Sequence, residues 1–187
     1  MPLPQSNRYT YADYLTWKTE DKYELFDGTP VMQARPNIQH QRISAALMHQ
    51  LMAALDGNPC QALAEIEVLL PDYPHQNVSD IRNVYVPDIV VVCDPEKLSD
   101  QYCIGAPTLV IEILSPSTAK ADRLVKLNKY QQSGVSEYWI VSPQEQNITV
   151  FVLDNGLFRT AAVYNADDAD ARILSLKGIV LDLSKVL

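Results

Sequence analysis

The chain has no apolar run of the roughly 18–20 residues that a membrane-spanning helix needs. Its opening, MPLPQSNRYTYADYL, lacks the basic patch and apolar stretch of a secretory signal, so a cytosolic (cytoplasmic) location is expected. Cysteine is scarce. Cys60, Cys93 and Cys103 are scattered with no CxxC spacing, which argues against a disulfide scaffold and against a structural zinc site. All three are expected to be reduced, with Cys93, inside VVVCD, serving as a small core residue. Positive charge is also in short supply. Fifteen Lys and Arg against 23 Asp and Glu give a formal net charge of −8, a poor balance for gripping phosphates unless a local basic patch or bound cations offset it. The chain contains no glycine-rich phosphate loop, no HExxH and no GxSxG, so the chemistries those motifs carry have no anchor here.

What is present suits one domain over residues 1–187 with one sizeable core: 47% hydrophobic and 20% charged residues. There is no repeat, low-complexity tract or long linker. The spacing predicts a short helix over Thr10–Lys18, opened by Thr10, then a hairpin of Tyr23–Phe26 and Thr29–Gln33 turned at Asp27-Gly28. Asn37 is placed to cap a long helix whose Ile43, Leu47, Leu51, Ala54 and Leu55 share one face. Ala64–Leu70 alternates as a strand with a wetter face carrying Glu65 and Glu67. After a polar loop from Pro71 to Arg82 come two nearly continuous apolar runs, VYVPDIVVVC and TLVIEIL, of the kind found in central strands covered on both faces. Asp94–Ala106 between them reads as loop with a helical turn. Ser117 or Thr118 is placed to start a second long helix with Ala121, Leu124, Leu127 and Tyr130 at helical spacing, ended by Gly134. A strand at Glu137–Val141, a hairpin around Asp154-Asn155-Gly156 and a closing strand near Ile179–Leu183 complete the order. The fold class is α/β (α+β in looser naming): a central mixed β-sheet flanked by helices, with N- and C-terminal hairpins.

Within the two apolar runs stand Asp88 and Glu112. An ionised carboxylate in a buried strand is costly unless it is paired or binds a cation. If the two strands pair, the two acids meet at one point. There they could bind a hard cation such as Mg²⁺, with Mn²⁺ as a substitute, which uses one or two carboxylates plus waters and phosphate oxygens. Such a centre activates water and offsets charge growing on a phosphate. The plainer reading gives each acid a strand-end position or a structural Arg partner.

Val86-Pro87-Asp88 followed by Ile111-Glu112-Ile113-Leu114 resembles the PD-(D/E)XK nuclease signature. The wider set YELFDG, VPDIVVV, GAPTLVIEILSPST and DRLVKLNKYQQSGVSEYWIVSP resembles the Uma-type restriction endonuclease family, from about Tyr9 to the C-terminus. The resemblance implies a restriction-endonuclease-like core and metal-dependent hydrolysis of DNA. It implies Asp88 and Glu112 as metal ligands, Glu24 as a further site acid and His40 as a site histidine. The usual lysine two residues after the second acid is absent, since Leu114 stands there. The family pattern has a lysine on the next helix, matching Lys126, which would orient or help deprotonate the attacking water; Lys129, one turn on, is its substitute. Ser142 departs from a frequent aspartate.

Each of these has a plainer alternative. Asp122 and Lys126 are four apart, the spacing of a surface ion pair. Glu24 sits beside a turn, where exposure is common, and His40 near a helix start suits local hydrogen bonding. Glu65 and Glu67 suit a solvated strand face, although Glu67 could reach the acids. Tyr138-Trp139 and the Tyr9, Tyr11, Tyr14 group could stack on bases but also suit packing. Ser115-Pro116-Ser117-Thr118 could contact phosphate or cap the helix. The alternative to a nuclease is a catalytically inactive nuclease-like module that binds nucleic acid or protein, which the missing lysine and the −8 charge favour. A homo-oligomer, a dimer above others, with terminal-hairpin strands pairing across a two-fold axis, is compatible with either.

Overall fold

The computed structural model describes residues 8–116 and 119–187. The expected helix start at Ser117 or Thr118 lies outside the described residues. Among the described residues, the first element is helix α1 (Tyr11–Tyr14), where Thr10 and Asp13 form a reciprocal capping box. The helix stops four residues short of the expected Lys18. The Thr16 hydroxyl donates to the Asp13 carbonyl at 2.6 Å, a local bond that competes with helix continuation, and Trp17 turns back onto Tyr9 and Tyr14.

Strands β1 (Tyr23–Phe26) and β2 (Thr29–Met32) form the expected hairpin. Asp27 and Gly28 both have positive φ, 48° and 76°, the signature of a tight two-residue turn. A side chain at position 28 would also meet the Tyr9 backbone at 2.9 Å. Asn37 caps helix α2 (Ile38–Ala54) by accepting the His40 N–H, and its Ile43, Leu47 and Leu51 are buried.

The Ala64–Leu70 run, expected as one strand, is two: β3 (Gln61–Ala64) and β4 (Glu67–Leu69), separated at Glu65, whose φ is +51°. The VYVPDIVVVC run is likewise split into β5 (Val84–Tyr85) and β6 (Ile89–Val92). Pro87, which has no N–H for a ladder bond, stands at that break. Asp88 therefore sits at the entry to β6 rather than inside a strand. The loop after β6 holds an unexpected third short strand, β7 (Tyr102–Ile104). Strands β8 (Leu109–Ile113), β9 (Glu137–Ser142), β10 (Asn147–Asp154) and β11 (Leu157–Asn165) lie close to where the sequence places them, and β12 (Ala171–Arg172) pairs β13 (Val180–Leu181).

Both breaks serve one purpose: they carry the chain between two sheets. One sheet has six strands in the order β11-β10-β9-β8-β6-β3, the other five in the order β2-β1-β5-β4-β7. Among the described residues only β8·β9 and β4·β7 run parallel, so both sheets are mixed. The class is the expected one, with a second sheet that the sequence did not reveal. Period-two alternation divides the central strands. Ile89, Val91, Ile111, Ile113, Trp139 and Val141 pack with α2 and the C-terminal segment. Val90, Val92, Val110, Tyr138 and Ile140 pack on the other face, with Tyr130, Val135 and Tyr85. Glu112 shares the parity of Val110, so it points to this second face.

On that face lies a π-helical turn, Ala121–Lys126, running into helix α3 (Leu127–Ser133), which ends at Gly134 in the left-handed conformation as expected. The expected apolar stripe is buried only in part. Tyr130 is buried and Ala121 and Leu127 partly so, but Leu124 is 55% exposed, and the charged Asp122 and Lys126 are buried in addition. A π turn adds a residue and shifts the phase of the helix beyond it, and the side chains turned inward are those with partners beneath them. The tyrosine group near the N-terminus and Tyr138-Trp139 are packing elements.

The cysteine expectation is corrected. Gln61 pairs Val92 across β3 and β6, so Cys60 and Cys93 are the next facing pair, and they are bonded to each other. Cys103 alone is free and buried. Denatured, unreduced protein should titrate one thiol, and three after reduction; three before reduction would show the bond absent. Among the described residues no helix is long and apolar enough to cross a membrane.

Candidate active site

The site forms where the two sheets meet, and each sheet contributes an acid. Glu24 comes from β1 and accepts the Val86 N–H at 2.9 Å through Oε1, tying β1 to the connector that carries Asp88. Glu112 comes from β8. Asp88, between the sheets, accepts the Ile113 N–H at 2.7 Å through Oδ2. The β6·β8 register, Ile89 against Ile111, explains why that bond can form: one residue further, Asp88 stands opposite Glu112. The backbone N–H of Glu65 bonds the Asp88 carbonyl, so the second inter-sheet crossing buttresses the first.

Asp122, from the turn leading into α3, completes the group. Lys126 Nζ lies 2.9 Å from Glu112 Oε1, 3.0 Å from Glu24 Oε1 and 3.4 Å from Asp122 Oδ1. Exposures are 5% for Glu24, 4% for Glu112, 2% for Asp122 and 5% for Lys126, so the Asp122–Lys126 pair is not the surface ion pair its spacing suggests. Tyr130 donates its hydroxyl to Glu112 Oε1 at 2.9 Å, and Tyr138 donates to the Asp122 carbonyl at 3.1 Å. His40 Nε2 is 3.2 Å from Asp88 Oδ2. All the acids face one cavity of about 340 Å³, whose outer wall includes Lys22, Met32, Arg35 and Glu65.

Three buried acids thus share one ammonium. Burial pulls the Lys126 pKa down, but the charges of Glu112, Glu24 and Asp122 outweigh it and hold the amine well above the lysine range. Burial lifts Glu112 well above the carboxylate range despite Lys126, and the charges of Asp122, Asp88 and Glu24 lift it further. Glu24 is raised for the same leading reason. These shifts oppose each other at the Lys126–Glu112 contact. The direction that holds is a permanently charged lysine with the surplus acids shifted upward, because one positive charge cannot offset three negative ones. Tyr130 is kept protonated by burial and by Glu112, and so remains a donor. For His40 burial acts downward, but the Asp88 hydrogen bond and charge prevail and raise it.

The Glu24 shift has a measurable consequence. A carboxyl whose pKa rises on folding stabilises the fold below its unfolded value, about 4.5, and that contribution is lost as pH climbs through the folded value. Wild-type stability relative to Glu24→Gln should therefore fall from about pH 4.5 toward neutrality in urea titrations. A difference that is flat or rising with pH would contradict the burial-driven shift.

The structure brings Asp88, Glu112, Glu24, Lys126 and His40 to one cavity. It leaves out Lys129, which pairs with Asp72 at 2.8 Å, and Glu67, which accepts the Tyr11 hydroxyl at 2.7 Å. Glu65 pairs with Lys22 at the rim. Ser142 is buried at the end of β9. Ser115 lines the cavity, while Ser117 and Thr118 lie outside the described residues. Sequence reasoning did not assign Asp122 or Tyr130 to the site; their one signal was a shared helix face with Lys126 at spacings of four. Asp88 and Glu112 offer two hard oxygen donors beside open solvent space. Among the described residues no group of three or more His, Cys, Asp or Glu side chains is gathered to hold a metal ion. Magnesium needs only one or two carboxylates, so the donor set fits that ion and not a closed structural cage.

The two mixed sheets with few helices make an α+β fold with an acidic cavity between the sheets. A solved structure described as a "putative nuclease belonging to DUF820", from Anabaena variabilis, shares the fold: TM-score 0.74 over 95% of this chain and 96% of that one, at 19% identity. The Uma2 family, described as "Putative restriction endonuclease", matches residues 11–184. "Uncharacterized protein slr1290" from Synechocystis sp. is 32% identical over 142 residues, 74% of this chain and 71% of that protein. The chain belongs to the Uma2 family.

Proposed function

We propose that the protein is a magnesium-dependent endonuclease that hydrolyses DNA phosphodiester bonds, with Mn²⁺ able to substitute. The observation that carries this reading is the surplus of buried carboxylates around one ammonium at the floor of an open cavity. Structural ion pairs balance their charges; an unbalanced set beside solvent suits a cation that arrives with the substrate. Asp88 and Glu112 would hold the ion. The chemistry supplied by such a centre is neutralisation of phosphate charge and acidification of a bound water. The remaining steps belong to the chain. His40 and the Ile113 N–H fix the Asp88 carboxylate. Glu24 and Asp122 hold Lys126 beside Glu112, from where the ammonium would orient the attacking water or stabilise charge on the phosphoryl oxygens. Family membership favours this reading.

The test is cleavage of supercoiled plasmid with Mg²⁺ or Mn²⁺. Nicked and linear products are expected. No cleavage with either ion, together with no heat of ion binding, would sink the enzyme reading. A silent nuclease-like binding module is the second reading. It is favoured by Leu114 at the superfamily's lysine position and by the engagement of Lys126 with three acids. DNA retention without cleavage would support it.

A further inference from the structure

On the metal-site reading, on which this step rests, the site carries a charge deficit whenever no divalent ion is bound. An ammonium carries three N–H donors and no acceptor. At Lys126 three carboxylates surround it: Glu24 on β1, Glu112 on β8 and Asp122 one turn back on its own helix. With 5% of the residue exposed, the ammonium is turned toward these acids rather than toward solvent, and it donates a hydrogen bond to Glu112. In the ion-free protein the lysine is therefore disposed as a counter-ion, and it stands where the π-helical turn passes into α3, an irregularity that helices use at functional sites.

We propose that Lys126 is the site's built-in counter-ion. Its ammonium competes with a divalent cation for Glu112, and cation binding and release of Lys126 from its acids form one coupled event. Three acids buried together without a cation would have to take up protons or be exposed to water. The lysine removes that cost in the ion-free protein. Its own charge opposes an arriving ion, because like charges a few ångströms apart repel strongly in a partly dry site. Once the ion takes over Glu112, the ammonium has donors to offer a substrate phosphate. The ion-free site is thereby held inactive and intact.

The test has two arms, both using Mn²⁺ alone as the probe. Mn²⁺ is titrated calorimetrically into the wild type and into Lys126→Met, whose side chain keeps its length and loses its charge. The variant should bind Mn²⁺ about tenfold more tightly or better. In wild type, amine acetylation is read by peptide mass spectrometry with and without Mn²⁺. Lys126 should be protected without the ion and labelled several-fold faster with it, while Lys129, paired to Asp72 outside the site, should not change. The labelling arm needs no variant, so it decides the matter if Lys126→Met fails to fold. Equal or weaker Mn²⁺ binding by a folded variant, or labelling that Mn²⁺ leaves unchanged, overturns the proposal and leaves the metal site standing. Absence of Mn²⁺ binding by both proteins overturns the metal site and this inference together.

Discussion

Supercoiled plasmid incubated with Asp88→Asn protein and Mg²⁺ is expected to remain uncut, with cleavage reduced about 10³-fold or more against wild type. The substitution keeps the shape of the side chain and removes its charge. The asparagine carbonyl can still accept the Ile113 N–H that Asp88 accepts at 2.7 Å, so the β6·β8 connection persists. The Asp88 side chain is 20% exposed and its ion partner is His40, not Lys126, and removing its charge relieves part of the repulsion that lifts Glu112. The thermal midpoint should therefore move by no more than about 3 °C. This separation is why Asp88 is a sharper test than Glu112. Glu112 takes hydrogen bonds from both Lys126 and Tyr130, and Glu112→Gln would disturb packing and chemistry together. Cleavage by Asp88→Asn within a fewfold of wild type, with the fold intact, would remove Asp88 from the site.

The acids were legible in the sequence because burial gave them away. A carboxylate inside TLVIEIL has no solvent to face, and period-two alternation then fixes which neighbours it shares. The two sheets were not legible, and the reason is local. VYVPDIVVVC is apolar on both sides of Pro87, because both halves are buried, one in each sheet. Hydrophobic patterning registers burial and says nothing about which sheet does the burying. Pro87 was the available sign, since a residue without an N–H is poorly suited to the middle of a ladder. The matching break at Glu65 had no sign at all: a glutamate at positive φ is uncommon, and nothing in its neighbours forecasts it. Asp122 was hidden by ambiguity of another kind. An Asp and a Lys four apart look the same on a wet face and on a dry one, and only the depth of Glu24 and Glu112 beneath the helix decides between them. The Cys60–Cys93 bond depended on strand register, which the sequence read as one long strand could not supply.

Lys126→Met is expected to give the largest loss of stability of any single change in the site, about 3–5 kcal/mol without a divalent ion. In a chain of this length that lowers the thermal midpoint by roughly 10 °C. The magnitude comes from the groups left behind. Removing one partner of a buried ion pair costs far more than the pair contributes, because the other partner stays dry and charged. Here the residue removed is the cation that three buried acids share, at 2.9, 3.0 and 3.4 Å. Methionine fills the volume, so cavity formation adds little and the loss reports charge. Lys129→Met is the control. Lys129 pairs with one acid, Asp72, at side-chain exposures of 14% and 34%, and a partly exposed pair of this kind is worth about 1 kcal/mol. The acids stranded by Lys126→Met can regain neutrality in two ways, and each leaves a trace. Lowering the pH protonates them, so the variant's deficit should shrink toward about pH 5. Adding Mn²⁺ should also recover part of it, because an ion that binds only the folded state stabilises that state. A variant as stable as wild type near neutrality would mean that the acids are already protonated in the native protein, and that the cavity floor carries far less charge than its carboxylates suggest.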